Sequence, residues 1–102
     1  MRDILALFDV EVIDERVVID RNRMTGGGVT AGVDFGLTLV AELLGERSAQ
    51  LQQLLMEYDP APPFAAGSPE SAGPEVVALA EQVTGPLNQA MFAAARAAIA
   101  RL

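Results

Sequence analysis

At 102 residues, with no cysteine, no histidine and a formal charge of −7, the chain is one domain at most and holds no thiolate nucleophile, no imidazole base and no sulfur ligand for a metal. Its seven basic residues, all arginine, are scattered as Arg2, Arg16, Arg21, Arg23, Arg47, Arg96 and Arg101, which excludes the clustered basic face that nucleic acid needs. Apolar residues nevertheless make up 51% of the chain and the mean hydropathy is +0.30, so a partner surface is expected, offered to a second copy or to a missing part of the same domain.

The first residues, Arg2 to Phe8, place Ile4, Leu5 and Phe8 at helical spacing over a run too short to stand alone. Val10-Glu11-Val12 and Val17-Val18-Ile19 follow as two β-branched runs, read as short strands. Asn22 suits a turn, and a further strand over Arg23 to Thr25 completes a hairpin and leads into the glycines.

From Thr30 the period changes to that of a helix. Val33, Leu37, Val40, Ala41 and Leu44 form one apolar stripe and Phe35, Leu39 and Leu43 a second, leaving Asp34, Thr38 and Glu42 as the polar strip. Such a helix is expected to be buried on several sides, packed on a sheet and covered by another layer. Gly45 is placed to end it in a left-handed conformation.

Residues 46–58 give another helix, with Leu51, Leu54, Leu55 and Tyr58 inward, stopped by Asp59-Pro60. A surface loop rich in Pro, Gly, Ser and Ala follows over residues 60–73, with Phe64 as its anchor. Pro74 opens a last helix of 3-and-4 spacing, in which Gly85-Pro86 predicts a kink or short break. The organisation expected is thus one portion over 1–102: a short helix and β-hairpin with a glycine turn over 2–29, two helices over 30–58, a loop over 59–73 and a C-terminal helix over 74–102. Acidic residues break the longest apolar stretch and no leader pattern opens the chain, so a soluble cytoplasmic protein that does not engage a membrane is expected.

The stretch Thr25-Gly26-Gly27-Gly28-Val29-Thr30-Ala31-Gly32 sits between strand and helix. It matches neither the G-x-G-x-x-G dinucleotide pattern nor the P-loop. Its structural reading is that Gly28 and Gly32, one turn apart, let the helix sit tightly on the sheet; an anion held by free amides at the helix N-terminus is the competing reading. Asp34 reads as a first-turn carboxylate favourable to the helix dipole, with a catalytic role as the alternative. Thr30 reads as the helix cap. Asp14, Glu15 and Asp20 read as solvated acids around the hairpin, not as a cation site, so no metal and no cofactor is expected.

The run Arg16-Val17-Val18-Ile19-Asp20-Arg21-Asn22-Arg23-Met24-Thr25-Gly26-Gly27-Gly28-Val29-Thr30-Ala31-Gly32-Val33-Asp34-Phe35 resembles the C-terminal portion of ThiJ/PfpI, glutamine-amidotransferase-like proteins. Glu57-Tyr58-Asp59-Pro60, Pro62-Pro63-Phe64 and Gly67-Ser68-Pro69 look like the isonitrile hydratase branch. The resemblance implies an α/β fold, the C-terminal part of a flavodoxin-like three-layer sandwich, with short strands followed by three to four helices. It also implies a cysteine nucleophile on a strand-to-helix turn and an acidic residue near the N-terminus, which convert an isonitrile into an N-substituted formamide. Both belong to the complementing N-terminal half that precedes this chain, so no catalytic residue is expected here. What carries over is a pocket wall made by Gly27, Gly28 and Val29, beside the helix N-terminus at Thr30 and Asp34. A non-enzymatic dimerisation module, or a remnant of a ThiJ/PfpI-like sensor domain of a transcription regulator, are the other readings.

Overall fold

The computed structural model describes residues 2–102. In chain order the elements are α1 (Arg2–Ala6), β1 (Val17–Asp20), β2 (Arg23–Gly26), α2 (Ala31–Leu44), α3 (Glu46–Leu55), α4 (Pro69–Ala72) and α5 (Pro74–Ile99). They fall into two compact units: Ile13–Pro60, and the chain up to Val12 together with Ala61–Leu102.

In the unit Ile13–Pro60, β1 and β2 pair antiparallel with Val17 opposite Gly26 and Asp20 opposite Arg23. The two-residue turn Arg21-Asn22 puts its left-handed conformation on Arg21, at φ 54°, and not on the asparagine. An L side chain at that angle crowds the following carbonyl, so the turn is held by the strands it joins. Phe35, on the second apolar stripe of α2, comes within 3.6 Å of where a side chain on Gly26 would begin. That is how α2 meets the hairpin.

Gly45 separates α2 from α3. Its φ of 89° and ψ of 155° lie in a region open essentially to glycine alone. Its amide donates to the Ala41 carbonyl at 2.9 Å, and the Ser48 hydroxyl donates to the Leu44 carbonyl at 3.0 Å. Carbonyls at the end of α2 are thereby satisfied by the Gly45 amide and by a hydroxyl from the first turn of α3.

The second unit is built on α5. Pro74 occupies its first turn, where a missing N–H costs nothing. Of the kink or short break expected at Gly85-Pro86, the break does not occur: one helix runs from Pro74 to Ile99 with Pro86 inside it. Pro86 still withholds an N–H from the Gln82 carbonyl, but Gly85 has no Cβ for the proline ring to meet, which removes part of the usual clash. Nearby, Thr84 Oγ1 donates to the Ala80 carbonyl at 2.8 Å and receives Asn88 Nδ2 at 3.2 Å. The segment expected to be all loop contains the turn α4, closed by Ser68 and Ser71, whose hydroxyls accept each other's backbone amides at 3.2 and 3.0 Å.

Three other expectations change. Val10-Glu11-Val12 is not a strand, because no neighbouring strand is present to take its backbone groups. Phe64 is 79% exposed and anchors nothing, and Leu51, Leu54 and Leu55 are exposed, not inward. Among the described residues only Ile4, Ala31, Ala49 and Ala95 are buried. Periodicity identified faces suited to burial, and among the described residues these faces stay largely exposed.

Candidate functional site

The best-connected polar cluster in the unit Ile13–Pro60 joins three segments distant in sequence. Arg16 lies just before β1, Asp34 in the first turn of α2, and Tyr58 just beyond α3. Arg16 Nε donates to Asp34 Oδ2 at 2.5 Å and its Nη2 to Thr30 Oγ1 at 3.4 Å. The Tyr58 hydroxyl donates to the other carboxylate oxygen, Oδ1, at 2.9 Å. One carboxylate is thus held from two sides by charge-assisted or strong hydrogen bonds.

Local structure explains each position. Arg16 is fixed by its main chain as well, since its carbonyl accepts the Gly27 amide at 2.8 Å as an extension of the hairpin ladder. Asp34 starts the polar strip of α2, and Thr38, one turn on, donates to the Asp34 carbonyl at 2.8 Å. Tyr58 is placed by the end of α3, where Glu57 turns the chain with φ 52°. The Tyr58 amide donates to the Gln53 carbonyl, and Gln53 Nε2 donates back to the Tyr58 carbonyl, both at 3.1 Å.

The arrangement sets the proton equilibria. The Arg16 guanidinium, and then the Tyr58 hydroxyl, hold the Asp34 carboxyl below its ordinary value. Its hydrogen bond to that carboxylate pushes the Tyr58 phenol up, and the Arg16 guanidinium is raised by the same partner. A carboxylate with a lowered pKa that spends both oxygens on intrachain donors is a poor proton acceptor at neutral pH. It is a structural anion.

The glycine turn is bracketed by this cluster. A Cβ on Gly27 would stand 2.9 Å from the Glu15 carbonyl oxygen, closer than real Cβ atoms come, whereas one on Gly28 or Gly32 would meet nothing within 4 Å. The close approach therefore lies at Gly27 and not at the Gly28 and Gly32 pair. Gly28 answers a different need, its φ of 109°. Val29 is 98% exposed. Thr30 does not cap α2 with its side chain; its hydroxyl receives Arg16 instead. Asp20 pairs with its neighbour Arg21 at 3.2 Å, away from Asp34.

Hollows on this unit lie against α2 and α3. One, of about 470 Å³, is bordered by Gln50, Gln53, Glu57 and Tyr58. The other, about 440 Å³, is an apolar groove between α2 and α3, formed by Val33, Leu37, Val40, Leu44 and Met56. That is the first apolar stripe of α2, left open. Neither hollow includes Gly27, Gly28 or Val29. Sequence reasoning missed the Arg16, Asp34 and Tyr58 cluster, although an acid on an otherwise apolar helix is a signal that a fixed partner is needed.

No family model matches the chain. Among curated proteins, isonitrile hydratase of Pseudomonas putida is 50% identical over 84 residues, which are 82% of this chain and 37% of that protein. Among solved structures, a ThiJ/PfpI family protein from Pseudomonas syringae superposes with a TM-score of 0.86 at 47% identity, over 92% of this chain and 39% of that one. The chain therefore spans little more than a third of the length of either relative. Sequence and fold converge on the ThiJ/PfpI proteins: the chain is similar to part of such a protein, a match consistent with a C-terminal portion close to the isonitrile hydratases.

Proposed function

We propose that the chain serves as the C-terminal segment of an isonitrile-hydratase-like protein, which when whole converts an isonitrile into an N-substituted formamide, and that the segment is catalytically silent by itself. The observation that carries this is the 50% identity to isonitrile hydratase across 82% of the chain. Silence follows from chemistry. With no cysteine and no histidine the chain has no strong nucleophile and no base poised near neutrality, and Asp34, in the first turn of the helix that follows the glycines, is engaged by Arg16 and Tyr58. Its contribution is a wall: the backbone of Gly27 and Gly28 and the exposed Val29, facing a nucleophile contributed by the rest of the protein. The test is a chimera in which this chain replaces the matching segment of isonitrile hydratase. Formamide production from an alkyl isonitrile by the folded chimera supports the reading, and a folded but inactive chimera refutes it.

A second reading, a non-enzymatic module that pairs with another copy of itself, is favoured by the open apolar groove on α2. Sedimentation distinguishes the two. A monomer at micromolar concentration, with the groove still exposed, argues for the complementing portion of one domain as the partner.

A further inference from the structure

We propose that Arg16 is a positioning residue that staples both ends of the glycine turn, with Asp34 as its anchor and Tyr58 as the buttress of that anchor. The geometry is specific to this residue. Its carbonyl takes the Gly27 amide at 2.8 Å, at the entry to the turn, while its guanidinium reaches Thr30 and Asp34 at the exit. Between those two points run Gly28, in the positive-φ region, and Val29, which packs on nothing. Side-chain packing therefore does not fix this backbone, and Arg16 is the residue that reaches it from outside the turn at both ends. Lysine would not substitute: one ammonium lacks the planar fork that spans a hydroxyl and a carboxylate together. Tyr58 stops the Asp34 carboxylate from rotating away, because it occupies Oδ1 while Arg16 occupies Oδ2.

That the stapled turn is a pocket wall rests on the function proposed above; that it is stapled does not. Amide hydrogen exchange on this chain separates the two, since it needs no turnover. The reporters are the turn's bonded amides: Gly27 on Arg16, Gly32 on the Val29 carbonyl and Val33 on the Thr30 carbonyl. In Arg16→Lys and Asp34→Asn these three are expected to exchange roughly three- to fivefold faster, the scale of one exposed ion pair, while amides in the middle of α3 keep their rates. Tyr58→Phe gives a smaller change of the same pattern. Unchanged rates at all three reporters overturn the proposal. So does an equal acceleration throughout the unit, which would mean that the cluster supports general stability only.

Discussion

The Asp34 carboxylate carries the clearest consequences at the level of single residues. Its pKa is lowered in the folded chain, so the stability it contributes is fully present above the ordinary carboxylate value and is lost as pH falls through the lowered folded value. Asp34→Asn removes that contribution, so the urea midpoints of the two proteins are expected to differ at neutral pH and to converge as pH falls through the lowered folded value. Tyr58 has the opposite sign. Its raised pKa makes its contribution complete below the ordinary phenol value, and it disappears as pH rises through the folded one; Tyr58→Phe abolishes this alkaline loss. The glycines divide by the same kind of reasoning. Gly27→Ala forces the Glu15 backbone to move and is expected to destabilise by about 1–3 kcal/mol. Gly32→Ala places its methyl in open space within a helix and is expected to stabilise by up to about 1 kcal/mol. Thermal unfolding of both variants checks the pair. That glycines mattered here was legible in their cluster between strand and helix, but which one is sterically required depends on the carbonyl of Glu15, far back in the chain from Gly27, and no local pattern encodes that approach.

Among the elements, the hairpin, α2 and α3 were readable because each follows from a local cause: β-branched runs, 3.6-residue periodicity, and a glycine, Gly45, where α2 ends and α3 begins. The ends of α2 at Ala31 and Leu44 coincide with the residues beside Thr30 and Gly45 for that reason. Elements whose existence depends on a partner were not readable. Val10-Glu11-Val12 has strand composition and no strand beside it. The inward faces assigned to α3 and Phe64 are exposed, because amphipathic spacing reports suitability for burial and not the presence of a cover. Helix α5 errs in the other direction. A local rule predicted a kink or a short break at Pro86; the helix is not broken there, because the other hydrogen bonds of a 26-residue helix outweigh the one that proline removes. Pro86→Ala is therefore expected to stabilise α5 by up to about 3 kcal/mol, the interior proline penalty, seen as a rise in unfolding temperature without a change in helical content.

For the whole molecule the governing fact is that so apolar a chain buries so little. Leu43 and Leu44 remain 72% and 71% exposed on a helix with only three polar side chains along its length. On the proposed function, that exposed apolar area is the surface by which the chain meets the rest of the protein; the chain matches 37% of isonitrile hydratase and 39% of a ThiJ/PfpI structure. A hydrophobic dye such as ANS is expected to bind the isolated chain, and Leu44→Ser, which makes the α2 groove polar at one end, to weaken that binding with little loss of helix. The Arg16, Asp34 and Tyr58 cluster completes the account: the turn is already ordered on a segment that carries no nucleophile of its own. The most direct test of that claim is to incubate the purified chain with an alkyl isonitrile and measure N-substituted formamide. Formation no faster than in buffer is the predicted result; turnover well above buffer, abolished when Asp34 is replaced by asparagine, would contradict it.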